Sequence, residues 1–478
     1  MAGADDRKLG WEALKGFAGK IIQAILGFAG TIIFARALGP ISFGGFYFLL
    51  SLVFIVERPI QGFGQAIRKR WSEVDAPKGE FVGSILLINA VFFTVVGLLV
   101  VTFADRLRDA TNIPEAPLAF MLILVSLGLF SPGQKMLLGE GRVAMQTWTD
   151  TLRSVLTFPL QLAFVVAGFG AAGMGYGLAL ATFATVPVTL YVLEPPVARP
   201  TRRALSSLWE FAKYSIPTSF IGKTYERLDT LLLGMLIGTA VVGDYEVAFK
   251  LTVPAMFLSS VVISGLLPKI SHRVSKGEDV TRDVNNTLGY ISIVSVPIFF
   301  GALALPETLI VTAYSAKYSG AKLFLVGLAF YQILKSQTGV YVETVGGLDR
   351  PELNLKIGAA TLALNVVLGV ALIFAIGGLG VVVATIVAES FRWLTTYLVA
   401  RRLLSGIQPI QRPFLVQLAA GAIMYLVVEF ATTVVPTRSW LEVGLLVGLG
   451  AAVYATVLLT SRLHRETASY ILEDAGIY

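Results

Sequence analysis

The sequence predicts an all-α polytopic membrane protein with about fourteen transmembrane helices, two parallel six-helix repeats plus two extra helices. Three observations lead there. Of 478 residues 55% are hydrophobic and 14% charged, with a mean hydropathy of +0.74, well outside the range of water-soluble domains. Apolar runs of about 18 residues or more recur from end to end, each long enough to cross some 30 Å of hydrocarbon. Short segments also repeat, in order, at a nearly constant offset. Alternating strands of about ten residues are absent, and open sheet edges cannot face lipid, which excludes a β-barrel.

In chain order the first repeat supplies spans at about 12–36, 42–66, 81–104, 117–138, 144–168 and 171–194. The second supplies spans at about 208–237, 243–267, 284–304, 320–345, 352–376 and 378–400. Two more follow at about 412–435 and 439–461. The stretch "PETLIVTAYSAKYSGA" offers an alternative extension of the ninth span. The expected division is residues 1–200 for the first lobe, 201–405 for the second and 406–478 for the extra helices and a short tail. The residues before the first span lack a signal-peptide pattern, so the N-terminus is expected to be retained.

The net charge of +7 is distributed by topology. Lys and Arg in the two tails and the even-numbered loops number 22, against 6 in the odd-numbered loops. Arg68–Arg70, Arg199, Arg202 and Arg203, and Lys269, Arg273 and Lys276 are examples from the richer set. By the positive-inside rule both termini are cytoplasmic, consistent with an even number of spans, which puts them on one side; the expected location is the cytoplasmic membrane. This alternation also argues against nucleic acid as the partner of the basic residues. The chain has no Cys and two His. His272 and His464 lie in basic loop or tail sequence with no second ligand at useful spacing, so no metal site is expected.

The repeat rests on three matches. "LGPISFGGFY" (Leu38–Tyr47) pairs with "IGTAVVGDY" (Ile237–Tyr245), setting Gly39 and Gly44 on Gly238 and Gly243 at an offset of 199. "KGE" at Lys78 recurs at Lys276, an offset of 198, and "GLALAT" at Gly177 recurs as "GVVVAT" at Gly380, an offset of 203. Six spans per half bring both halves into the membrane from the same side, with a substrate site expected between parallel repeats. The basic segment "EPPVARPTRRALSS" (Glu194–Ser207) joins them, as a hinge or as an ordinary cytoplasmic loop.

The seventh span carries Lys223, Glu226, Arg227 and Asp229 near its middle. At about 100° per residue, Ser219, Lys223, Glu226, Arg227 and Thr230 share an arc of roughly 100°, and Asp229 lies just beyond its edge. A central Lys, Arg or Asp costs about 2.5–3.5 kcal/mol on insertion scales, so this stripe must face protein or water. Lys223 and Glu226 can pair at i,i+3, whereas Lys223 and Arg227 are like charges at i,i+4. Two readings fit: a structural salt-bridge network, or a hydrated, cation-lined cavity for an anionic substrate.

Cations elsewhere favour the cavity. Ten Lys and Arg fall within or at the margins of spans. Five have an acidic neighbour three or four residues away, namely Lys15, Arg153, Lys213, Lys250 and Arg392, with Glu12, Asp150, Glu210, Glu246 and Glu389. Glu57 and Arg58 are adjacent, point in different directions on a helix, and are expected to need other partners. Lys20, Arg58, Lys223, Arg227 and Lys335 are therefore the candidates for an electropositive, substrate-binding lumen. Pro59 and Pro217 interrupt spans two and seven and permit bends.

These residues resemble a family. "ARALGPISFGGFYFL", "SIPTSF…ERLDTLLLG…VGDYEVAFKL" and "GLDRPELNLKIGAATLALNVVLGVALIFAIGGLGVVVAT" are similar to the polysaccharide repeat-unit (lipid-linked oligosaccharide) flippases of the multidrug/oligosaccharidyl-lipid/polysaccharide exporter superfamily. The resemblance covers nearly the whole chain in order. It implies two six-helix lobes around a central cationic cavity, alternating access, and a polyprenyl-phosphate- or pyrophosphate-linked glycan as substrate. Within the motifs Arg36, Gly39, Gly44, Asp229, Gly234, Gly243 and Tyr245 match family positions, with Arg36 and Asp229 architectural. Lys223 and Arg227 rest on the helical-face argument alone.

The expected function is thus translocation of lipid-linked oligosaccharide for surface polysaccharide or glycoprotein assembly. Membrane lipids and a glycan polymerase or transferase are expected partners. The alternative is a drug/cation antiporter of the same superfamily, which the cationic excess disfavours. "GKT" at Gly222–Thr224 lacks the first glycine of a phosphate-binding loop, Pro217 standing there, so ATP hydrolysis is not expected. No aqueous loop is large enough for a sugar-nucleotide site, so no enzyme activity or cofactor is expected. Coupling to an ion gradient or membrane potential would fall to Glu57, Glu226 or Asp229.

Overall fold

A computed structural model describes residues 22–435 and 439–461, apart from the side chain of Leu258, and the backbone of 3–21. The described residues are helical throughout their ordered elements, with no strand among them. Helices cover all fourteen apolar stretches. Among the described residues nine helical stretches are long and apolar enough to cross a membrane, ten if the bent pair Thr239–Phe257 and Ser259–Ser275 is one span.

The first unit comprises residues 1–243 and the second 244–478. In the first, α1 (Gly3–Val56) contains a break at Gly39, whose φ of 73° only glycine adopts without strain. Next come α2 (Arg58–Trp71), α3 (Lys78–Thr102) and the short α4 (Ala104–Thr111), a helix that the apolar pattern did not suggest. After α5 (Ala116–Gly139), α6 (Val143–Phe164) and α7 (Gly170–Leu193) form a hairpin. Gln161 Nε2 donates to the Met174 carbonyl at 2.9 Å across it. Thus the 51-residue helical stretch Val143–Leu193 doubles back on itself. α8 (Arg202–Leu236) is continuous through Pro217. It is absent from the apolar set because its charges interrupt every window of sufficient length.

α8 packs with the first unit, although it opens the second sequence repeat. The reason is visible at Gly62 of α2. A Cβ there would lie 2.3 Å from Ile216 Cγ1 and 2.9 Å from the Ile216 backbone. Ser215 Oγ donates to the Gly62 carbonyl at 2.8 Å. Small residues let helix backbones approach this closely in a membrane. Beside this crossing lies a core of Ile67, Trp71, Phe81, Ile85, Leu137 and Leu208. Repeat-related Gly44 and Gly243 meet in a second close approach, a Gly44 Cβ falling 2.5 Å from the Gly243 nitrogen.

The segment joining the repeats is held against α3. Ala198 N–H donates to the Gly79 carbonyl at 3.0 Å, and Thr201 Oγ1 donates to Glu80. Thr201 also caps α8, accepting from Ala204 N–H at 3.1 Å. Residues 202–207 are helix, so the stretch expected as hinge or loop is a docked strap followed by the first turns of α8.

In the second unit, α9 (Thr239–Ser275, from residue 244 onward) leads to α10 (Thr281–Tyr290) and α11 (Ser295–Ala304). α12 (Pro306–Ala313) and a 3-10 turn occupy the ambiguous 306–321 stretch as separate short elements. Then follow α13 (Lys322–Gly347), α14 (Pro351–Ile376), α15 (Leu379–Leu403), α16 (Arg412–Thr432) and α17 (Trp440–Thr460). α14 and α15 form a hairpin in which Asn365 Nδ2 donates to Thr385 Oγ1 at 3.3 Å. α16 and α17 are built into this unit's core with Val296, Leu305 and Ile333. Tyr454 Oη donates to the Ile293 carbonyl at 3.1 Å.

Gly62→Val should lower the thermal midpoint in detergent, because overpacking costs about 1–3 kcal/mol and exceeds any gain in helix propensity. Gly222→Ala, on α8 with no atom within 4 Å of its Cβ, should leave the midpoint unchanged or raise it. Equal midpoints for the Gly62 variant and the parent protein would refute the tight crossing.

Candidate functional site

The site begins at a broken helix. Pro59 has no N–H to continue the ladder, and its ring crowds the carbonyl four residues back. α1 therefore stops at Val56, Glu57 forms a turn, and α2 restarts at Arg58. Arg58 Nε donates to the Phe54 carbonyl at 2.6 Å. Its Nη2 lies 3.3 Å from Glu57 Oε2, and Gln61 Nε2 donates to Glu57 Oε1 at 2.6 Å. This corrects the expectation that Glu57 and Arg58 diverge: the long guanidinium side chain folds back far enough to reach the neighbouring carboxylate. Glu57 is buried.

The Gly62 crossing places α8 beside this break. Lys223 Nζ and the Arg227 guanidinium each lie 5.0 Å from the centre of the Phe54 ring, within cation–π range. Lys223 also pairs with Glu226 at 2.6 Å, the i,i+3 partner. The like charges at i,i+4 are thus accommodated by a carboxylate and an aromatic face. Glu226 is 61% exposed, whereas Asp229 is buried.

A cavity of about 290 Å³ opens here, lined by Glu57, Arg58, Gln61, Gln134, Lys135, Arg153 and Lys223 among others. Four cations line it against the single carboxylate of Glu57. Lys223 and Arg58 keep side-chain exposures of 21% and 12%, so each can present N–H groups to a ligand. Guanidinium and ammonium groups at such a wall suit phosphate, whose oxygens only accept.

Two lining cations escaped the sequence reading. Lys135 stands at the end of the fifth span, bordering a basic loop, and the last turns of α5 bring it to the cavity wall. Arg153 was set aside as structural because of Asp150. That pair exists at 2.8 Å, and Arg153 lines the cavity as well, its guanidinium 5.5 Å from the Phe130 ring. A further local assignment fails: Glu210 pairs with Arg70 at 3.3 Å, while Lys213 Nζ lies 5.0 Å from the Tyr214 ring. Cross-helix partners win where the crossing is close.

The other candidates are dispersed. Lys335 lies in the second unit and lines its own cavity with Glu343, Glu389 and Arg392. Its Nζ is 4.0 Å from Met256 Sδ and 5.5 Å from the Tyr331 ring centre. The Lys20 side chain lies outside the described residues. Of the five lumen candidates, Arg58 and Lys223 line one cavity, with Arg227 beside them on Phe54.

Comparison with known proteins now bears on this arrangement. The chain is 27% identical over 463 residues to the probable low-salt glycan biosynthesis flippase Agl15 of Haloferax volcanii, covering 96% of this chain and 97% of the relative. It is 26% identical to the probable flippase AglR of the same organism, with the same coverage. Among solved structures, the lipid II flippase MurJ in an inward closed conformation matches with a TM-score of 0.81 over 95% of this chain and 99% of that one, at 13% identity. An inward-facing multidrug resistance MATE family transporter matches with a TM-score of 0.59 over 80% and 95%, at 17% identity. These two establish a shared fold. Residues 33–323 match the family described as polysaccharide biosynthesis protein, more than half of the chain, and the protein belongs to that family.

Proposed function

We propose that the protein flips lipid-linked oligosaccharide across the cytoplasmic membrane by alternating access. The observation that carries this reading is the first-unit cavity, whose wall gathers Arg58, Lys135, Arg153 and Lys223 with Glu57 as the one lining carboxylate, while Asp150 and Glu226 pair with Arg153 and Lys223 from outside the lining. A bare phosphate anion cannot readily enter hydrocarbon, and a partly exposed cationic wall offers it compensation. End-to-end similarity to two named flippases supports the same function. The headgroup is a polyprenyl phosphate or pyrophosphate, held by these cations while the prenyl tail stays in lipid.

In this reading the fourteen helical stretches each cross the membrane, giving lobes of residues 1–200 and 201–405 and two added helices in 406–478. Both termini face the cytoplasm, as the loop charges support. Arg227 and Lys335 contribute further positive charge, and Glu57, Glu226 and Asp229 are the carboxylates for coupling. A glycan polymerase or transferase consumes the delivered substrate. The rival reading, a drug/cation antiporter, shares the fold but calls for an acidic cavity, and the charge at Arg58 and Lys223 opposes it.

In vesicles containing a fluorescent polyprenyl-pyrophosphate glycolipid, joint Arg58→Ala and Lys223→Ala substitution should slow translocation at least tenfold. Losing one hydrogen bond to a charged group costs about 1.5–3 kcal/mol, and every 1.4 kcal/mol is about tenfold. An unchanged rate with normal folding would remove the cationic site. Deletion from the source cell should leave lipid-linked glycan accumulated on the cytoplasmic leaflet, read by lipid extraction and leaflet-selective labelling. Cationic dyes should elicit no proton release from reconstituted protein; dye-stimulated release would favour the antiporter.

A further inference from the structure

The second unit contains a cavity of about 350 Å³ between α9, α13 and α15, and it is the chemical counterpart of the cationic one. Ser259 and Ser260 stand 202 residues after Glu57 and Arg58, and Gln332 and Ser336 stand 205 residues after Leu127 and Ser131. These offsets lie close to those of the repeated sequence segments. The two cavities therefore use corresponding stretches of the two repeats, but the acid–guanidinium pair of the first is replaced by two serines. The lining charges change accordingly. Four cations and one carboxylate line the first cavity, whereas Lys335 and Arg392 are balanced by Glu343 and Glu389 in the second.

The hydrogen-bonding capacity of the second cavity is biased toward acceptance. Ser259, Ser260, Ser264 and Ser336 each donate their hydroxyl hydrogen to a carbonyl of their own helix, at 2.8–3.3 Å. Their oxygens keep lone pairs for a ligand. Thr252 spends its hydroxyl hydrogen on the Phe249 carbonyl at 2.8 Å, so it accepts from Gln332 Nε2 at 3.0 Å. Gln332 Oε1 is left buried with no hydrogen-bond partner, in a residue only 1% exposed. Such an orphaned acceptor costs stability unless a ligand or water completes it. The half-buried Glu343 adds a carboxylate to the same wall.

We infer that this second-unit cavity binds a neutral, multiply hydroxylated sugar ring, whose O–H groups donate to the Ser259, Ser260, Ser264 and Gln332 oxygens and to the Glu343 carboxylate. The inference rests on the flippase reading for its biological setting, and it assigns recognition of uncharged glycan to one repeat and of the anionic link to the other. With Lys335 and Arg392 matched by Glu343 and Glu389, this lining offers a phosphate no excess of positive charge, while its hydroxyl and carboxylate oxygens suit a polyol. A site built to receive O–H groups also discriminates strongly against ligands that lack them.

The test is saturation-transfer NMR on the purified full chain in nanodiscs, with a panel of free neutral disaccharides. At least one disaccharide should bind the parent protein. The Ser260→Ala, Glu343→Gln double variant should weaken that binding about ten- to hundredfold. Ser264→Ala alone, a milder change, should weaken it severalfold, and Arg58→Ala with Lys223→Ala should leave it unaltered. Absence of binding by every disaccharide, or equal binding by parent and Ser260/Glu343 variant, overturns the inference. If glycolipid is not translocated in vesicles while disaccharide binding persists and responds to these substitutions, the flipping reading falls and the sugar site stands.

Discussion

The cationic cavity depends on one steric constraint, the approach of α8 to α2 at Gly62. With any larger residue there, Ile216 and its backbone would be pushed outward, and α8 carries Lys223 and Arg227 about two and three turns further along the helix. If α8 crosses the membrane as proposed, its charged stripe is tolerable because this contact delivers Lys223 and Arg227 to a wall of protein rather than to lipid. The break at Glu57 works with the crossing. A continuous helix would have consumed the Phe54 carbonyl internally, whereas here it also receives the Arg58 side chain. Backbone and side chain together hold a guanidinium that neither could hold alone.

Much of the architecture was legible because hydrocarbon imposes a simple demand: every backbone polar group satisfied, every span apolar and of fixed length. Hydropathy therefore located the long apolar helices, of which nine or ten among the described residues could cross a membrane. What it blurred were elements outside that demand, such as α4, the separate α12, and the α10–α11 interruption. The strap at Ala198 was equally hidden, since its docking depends on the small residues of α3 that receive it.

The site was less legible, for a reason specific to charge. Spacing of three or four residues predicts partners on the same helix, and it gave Lys223–Glu226 and Arg153–Asp150 correctly. It says nothing about which face meets a neighbouring helix. Arg153 was discounted for having a partner, yet a paired guanidinium can still face a cavity. Lys135 was discounted for lying near a helix end. Both errors treat ion pairing and location as one-dimensional, whereas a cavity wall collects side chains from several elements.

Phe54 is shared by two cations, and that sharing has a kinetic meaning. An aromatic face has no proton to gain, so its hold on Lys223 and Arg227 is indifferent to acidity, unlike that of a carboxylate. It is also shallow, of the order of 0.5–2 kcal/mol. Lys223 is held by this ring and by Glu226 together, and an arriving anion that draws the ammonium off the ring gives up only the shallower of the two contacts. Reversible loading and unloading is the property a carrier needs most, and a single phenylalanine at the helix break helps to provide it.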